Sequence, residues 1–285
     1  KEGVDMRVIL PKLHTIPEQY RKRMKKVAEC TVPLGWRNQY CGVEMLKEKG
    51  VLMEAKPFSM GVRIEHLQTM VDEAQYGKHD PVLPPADYKL VKHLEEETVY
   101  TFCMCPGGYV VAAASEEGGV VTNGMSNADR EGCNANSALL VTLNPGDFPD
   151  PGPLGGMSWQ RQIEQSAYAL GGYRAPAQLL GDFLKGIPST GPASVLPTYR
   201  PGVTWCDLHQ ILPNKLTDAL QAAIPQMERY LKGFAHPDAV LTAPETRSSS
   251  PVRILRGENR QSTLNGLYPT GEGAGYAGGI MSASV

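Results

Sequence analysis

An excess of positive charge, long apolar runs and metal-spaced ligands are all missing from this 285-residue chain. Net charge is −2 and the isoelectric point about 6.4, so nothing favours phosphate backbones or an anionic membrane surface. No nucleic-acid or membrane partner is therefore expected. Mean hydropathy is −0.28, and no unbroken apolar run approaches the roughly 18 residues of a membrane span. The six cysteines (Cys30, Cys41, Cys103, Cys105, Cys133 and Cys206) are too sparse for a disulfide scaffold, and no secretory leader is legible. Free thiols in a reducing cytoplasm are expected. His66, His93, His209 and His236 stand singly and read as structural or exposed. No metal site is expected.

Glycine (30) and proline (23) are plentiful, which predicts many turns. The length suits one large domain or two. Lys1 is not an initiator methionine, so the chain is expected to begin inside a longer gene product. Residues 1–42 are left unassigned, although Glu18 to Ala28 reads as a helix whose basic run, Tyr20 to Lys26, is a solvated face. From Val51 to His66 the text is strand-like, with Phe58, Met60, Val62 and Ile64 alternating against polar or small neighbours. Val99 to Cys105, Tyr109 to Ala114, Val120 to Thr122 and Ala138 to Leu143 continue as a β-meander.

The period changes after Gly156. Trp159, Ile163, Ala167 and Leu170 form a helical stripe stopped by Gly171 and Gly172. Ala177, Leu180 and Phe183 predict a short helix ending at Gly186. Pro213 opens another, with Leu216, Leu220 and Ala223 buried, until Pro225 breaks or restarts it. Met227, Tyr230 and Leu231 should pack before Gly233. A strand is expected from Ala239 to Thr242, and residues 188–201 form a surface excursion or a lid. The class is α+β, a mixed or antiparallel sheet with packed helices.

Four clusters bear on chemistry. Residues 264–280 read as a short strand, a glycine turn and a helix opening. Gly273, Gly275 and Gly278 there have GxGxxG spacing, extended by Gly271 and Gly279. Such glycines admit close backbone approach, and free amides at a helix start favour anions or carbonyl oxygens. Glu272 is suited to accepting from sugar hydroxyls. Together they suggest a nucleotide cofactor, against the plainer reading of a close-packed glycine turn. Cys103-Met-Cys105 places two thiols on one strand face, either as small buried groups, an active-site wall, or a redox or metal pair. Asn123, Asn127, Asp129, Arg130, Asn134, Asn136 and Ser137 suit turn chemistry or a hydroxylated or anionic ligand. Glu245-Thr-Arg-Ser-Ser-Ser-Pro-Val-Arg253 offers Arg247, Arg253 and three serines for phosphate, carboxylate or a flavin carbonyl, or closes a salt-bridged loop.

Several blocks resemble one family. They are Lys56-Pro-Phe-Ser-Met-Gly-Val-Arg-Ile-Glu-His66, Tyr100-Thr-Phe-Cys-Met-Cys-Pro-Gly-Gly108, Val121-Thr-Asn-Gly-Met-Ser126 and Asn134-Ala-Asn-Ser-Ala138. With them go the block from Glu245 to Arg256 and the segment from Leu267 to Ser282. The sequence is similar, from about Val43 to Val285, to the bacterial FAD-dependent dehydrogenases grouped as NAD(P)/FAD-dependent oxidoreductases. The resemblance implies an inserted substrate-side domain over 43–262 and a truncated C-terminal return segment of a Rossmann-like FAD-binding half over 263–285. It implies FAD contacts from Gly271, Glu272, Gly273, Ala274, Gly275, Tyr276, Ala277, Gly278 and Gly279. Glu272 would face the ribityl chain. Cys103, Cys105, Arg247 and Arg253 would flank the flavin and a small organic substrate, with NAD(P)H as a candidate electron partner. Two departures stand out. No strand-GxGxxG-helix occurs in residues 1–60, and Val32-Pro-Leu-Gly-Trp-Arg-Asn38 replaces an expected Ala-Thr-Gly segment. A cofactor-free binding module derived from such a flavoprotein is the alternative. Oligomeric state is not legible.

Overall fold

The computed structural model describes residues 39–77, 80 and 82–277. The predicted helix around Tyr20 to Lys26, the Val32–Asn38 departure, Gly278 and Gly279 lie outside the described residues. Helix α1 (Gln39–Glu48) leads into β1 (Met53–Ala55) and β2 (Phe58–Leu67), followed by α2 (Gln68–Tyr76). Strands β3 (Val91–His93), β4 (Thr98–Cys105), β5 (Gly108–Ala112), β6 (Thr122–Ser126) and β7 (Asn134–Leu143) come next. Helix α3 (Gly155–Gly171), β8 (Ala175–Leu179), α4 (Leu180–Lys185), β9 (Val203–Trp205) and α5 (Asn214–Met227) precede β10 (Val240–Glu245) and β11 (Val252–Ile254).

Seven strands form one sheet in the order β3-β4-β7-β2-β10-β8-β9. Every pairing is antiparallel except β8 with β9, so the sheet is mixed. The expected class is met at that level, a mixed sheet with five helices among the described residues. The expected meander is not. Strand β4 pairs with β7, whereas β5 and β6 pair only with each other as a separate ribbon. The turn at Pro106 to Gly108 lifts the chain off the sheet, with Gly107 at φ 50 and its amide bound to Gln68 Oε1. Strand β6 also starts at Thr122, two residues later than the predicted strand.

Residues Phe58, Met60, Val62 and Ile64 of β2 point into the main core with Leu139, Val141, Leu216, Leu220 and Ile224. Their alternation predicts a half-exposed strand, yet β2 is buried on both faces. The polar face bearing Ser59, Arg63 and Glu65 lies beneath the β5–β6 ribbon and the 188–201 segment. That segment is strapped down, because Glu65 accepts from the Thr198 amide and hydroxyl, and Val195 and Tyr199 are buried.

Helices follow their punctuation. Gly77 at φ 79 and Gly186 at φ 67 end α2 and α4 in left-handed caps. Helix α3 has its predicted stripe, although Leu170 is exposed at its last turn. Pro213 caps α5, which runs through Pro225 to Met227 before stopping. Two placements differ from expectation. Ala177 belongs to β8 rather than a helix, and Tyr230 is 68% exposed rather than packed. Strand β10 extends past Thr242 to Glu245.

Candidate functional site

The polar face of β2 is organised by Arg63, whose side chain is fully buried. Its Nε and Nη2 donate to both oxygens of Glu245 at 2.7 Å. Nη2 also donates to Asn123 Oδ1 at 3.0 Å, and Nη1 to the Cys103 carbonyl at 2.9 Å and Asn136 Oδ1 at 3.4 Å. A guanidinium has five N–H donors, and these five bonds engage all of them. Asn123, the partner from the ribbon, arrives because Gly124 lets β6 lie on the guanidinium. A Cβ there would stand 2.6 Å from Arg63 Nη1 and overlap Asn136 Oδ1. Asn136 Nδ2 is buried without a partner.

Two irregularities flank this arginine. Strand β4 carries one extra residue against β7 between Phe102 and Cys105, and β10 one against β2 between Thr242 and Glu245. Cys103 sits at φ 43, an uncommon conformation for a non-glycine residue. The predicted placement of both thiols on one face of a regular strand is therefore corrected: the bulge turns Cys103 outward, while Cys105 is half-buried with its Sγ donating to the Cys103 carbonyl. Neither forms a disulfide. Desolvation pushes both thiols above the usual cysteine range, with Arg63 opposing and Glu245 reinforcing the shift. Both are thiols, not thiolates, at neutral pH.

In front of the bulge the C-terminal glycine turn comes in. Glu272 lies near enough to raise the Cys103 thiol and to act on Lys56. Lys56 donates to the carbonyls of Pro57 and Ser250, and is lowered by burial and by the neighbouring Arg253. Ser250 Oγ reaches the Gly273 carbonyl, Ser248 Oγ donates to the Ser59 carbonyl, and Arg253 Nε reaches the Gly275 carbonyl at 3.4 Å. Cys103, Arg253 and residues Gly271 to Ala277 thus share one region with Lys56 and Ser250.

The turn itself differs from the expected strand, loop and helix opening, since no regular element occurs in 264–277. Gly275 and Tyr276 donate their amides back to Glu272 and Gly271, and Ala274 accepts from Ile254. A Cβ on Gly275, at φ 84, would sit 2.5 Å from the Val252 carbonyl. Close packing on β11 therefore accounts for this glycine. Tyr276 is held by its hydroxyl on Ile254 and by Arg256 lying 3.7 Å over its ring. At the start of α3, Gly156 is packed by Pro251, Phe148 and Phe58 side chains. Neither glycine leaves a cradle for a pyrophosphate.

Arg247 is placed elsewhere. It forms a bidentate pair with Glu164 on α3, bonds Ser115, and lies 4.4 Å over the Tyr40 ring. Tyr40 donates to Glu164 as well. Of the amide cluster, Asn123 and Asn136 reach Arg63 and Asn134 reaches Glu65, while Asn127, Asp129 and Arg130 make a tight surface turn. Among the described residues no group of three His, Cys, Asp or Glu is arranged for a metal. No described helix is long and apolar enough to cross a membrane. Sequence reasoning missed Arg63 and Lys56 as members of the site. A charged residue in the middle of an apolar strand was the available signal for Arg63.

Comparison with known proteins fits this picture. The family model described as FAD-dependent protein, C-terminal domain-like, matches residues 57–248. A Clostridium beijerinckii protein described only as uncharacterised is 50% identical over 249 residues, 85% of this chain and 47% of its own length. The chain thus spans about half of that relative. Short similarities of another kind join it to glycogen synthases of Geobacillus thermodenitrificans (60% over 50 residues) and Bacillus subtilis (57% over 49 residues). Those cover 18% and 17% of this chain and 10% of each enzyme. With the match running from the start of β2 through β10 and the segment after it, the chain belongs to the FAD-dependent proteins, as a C-terminal-domain-like member.

Proposed function

We propose that this chain is the substrate-side part of an FAD-dependent oxidoreductase that moves a hydride between a small organic substrate and flavin. The observation that carries the reading is the docking of the glycine turn on Ser250 and Arg253, within a chain of an FAD-dependent family. In this reading Gly271 to Gly279 contact FAD, Glu272 accepts from the ribityl hydroxyls, and Cys103 and Cys105 supply a neutral thiol wall. Arg253 faces the same region from β11, and Arg247 acts from behind by holding Thr246 and its neighbours against α3. The flavin supplies the hydride acceptor; the chain's residues orient it and keep water from one side. NAD(P)H is the candidate electron partner, and the compartment the cytoplasm. The match to glycogen synthases supports no transfer of sugar here, since it covers a tenth of those enzymes.

A cofactor-free binding module is the second reading, favoured by the internally engaged amides of Gly275 and Tyr276. Absorption spectroscopy and FAD titration of the purified chain, and of the chain extended to the length of the Clostridium relative, separate the two. The oxidoreductase reading expects yellow protein in the extended form and bleaching by a reductant. Colourless protein that ignores FAD in both forms overturns it.

A further inference from the structure

Arg63 stands between two strand irregularities that lie on opposite sides of β2. On one side its guanidinium grips the Cys103 carbonyl within the β4 bulge, and on the other it grips Glu245, the last residue of the β10 bulge. The ribbon residues Asn123 and Gly124 close over it from above. A non-glycine residue at φ 43 is strained and persists only where the surroundings over-determine it. The Cys103 carbonyl accepts from Arg63 Nη1 at 2.9 Å and, more weakly, from Cys105 Sγ at 3.3 Å, so the guanidinium is its charged anchor.

The geometry points to Arg63 as a positioning residue: by holding the Cys103 carbonyl it fixes the outward presentation of the Cys103 thiol on the side of Glu272. It touches no ligand, because its five donors are engaged within the protein. Instead it sets where the thiol wall stands and, with Glu245, the charge beneath it. Groups facing Cys103 are Arg63, Glu245, Cys105 and Glu272, with Tyr100 alongside; Cys105 faces Arg63, Glu245, Ser126 and Tyr88. The inference deepens the oxidoreductase reading and rests on it for its functional meaning, but its test needs no flavin.

Alkylation of Cys103 and Cys105 by iodoacetamide, followed peptide by peptide across pH, tests it. Removing the cation in Arg63→Met should move the reactivity step of Cys103 to higher pH, about one unit and thus about tenfold in rate at a fixed pH below the step. Removing the opposing carboxylate in Glu245→Gln should move it the other way. A merely structural role would loosen the sheet in both variants and shift reactivity in the same direction, which would overturn the inference, as would no shift in either. If Arg63→Met does not fold, Arg63→Lys serves. It keeps a charge without the planar fork, and should speed hydrogen exchange of amides 103–105 while leaving those of β8 unchanged. Equal exchange at both places overturns the inference. Failure to bind flavin, by contrast, removes the oxidoreductase reading and leaves these thiol profiles as they are.

Discussion

Gly124 and His66 illustrate how single atoms set tolerance in this molecule. At Gly124 a methyl group would press on Arg63 and Asn136. We expect Gly124→Ala to cost about 1–3 kcal/mol, read as a lower urea midpoint, and an unchanged midpoint would show that the ribbon gives way freely. His66 is buried, with Nε2 donating to the Phe234 carbonyl and Nδ1 left without a partner. Desolvation lowers it from 6.5 to about 4. Because the folded value lies below the unfolded one, the stability it contributes is present above about pH 6.5 and is lost as pH falls toward 4. The loss amounts to about 3 kcal/mol at most. Glu65, whose carboxyl burial raises, acts in the opposite sense, since its contribution is lost as pH rises. Thermal unfolding of wild type and His66→Gln between pH 7 and 4 isolates the histidine: wild type should lose its advantage on acidification, and a constant difference refutes this.

Helices and strands were largely readable because their signals are local. Gly171–Gly172, Gly186 and Pro213 terminate or start elements by backbone chemistry alone, and the stripes at Trp159 and Leu216 point to the core as drawn. What failed was long-range. Nothing near Arg63 or Glu65 in the sequence says that a ribbon sixty residues later will cover the one and the segment around Thr198 the other. The same holds for Arg247, whose partner Glu164 lies on another element. That pair ties α3 to the segment after β10. Removing one partner of a buried pair leaves an uncompensated charge, so Arg247→Met should destabilise by about 3–5 kcal/mol, measured by urea unfolding. The double variant Arg247→Met, Glu164→Met should regain part of it, and additive losses would contradict the coupling. In the glycine turn the spacing was legible but its packing was not. Gly275→Ala meets both a positive φ and the Val252 carbonyl, and should free residues 262–277 for faster proteolysis without moving the main unfolding transition. Identical digestion rates would show the turn to be held otherwise.

For the whole molecule, the seven-stranded sheet supplies the floor, with Arg63 and the Cys103 bulge on it and Arg247 apart from them against α3. The chain's span, about half of its Clostridium relative, leaves the opposite flank of any flavin to residues with no counterpart here. Arg63 and Glu245 cancel one another directly under the Cys103 bulge, and both cysteines carry their protons. The surface of the bulge therefore carries little charge of its own. A molecule lying on it is retained by shape and dispersion, so its affinity should change little between dilute and concentrated salt, unlike that of a phosphate held by surface lysines.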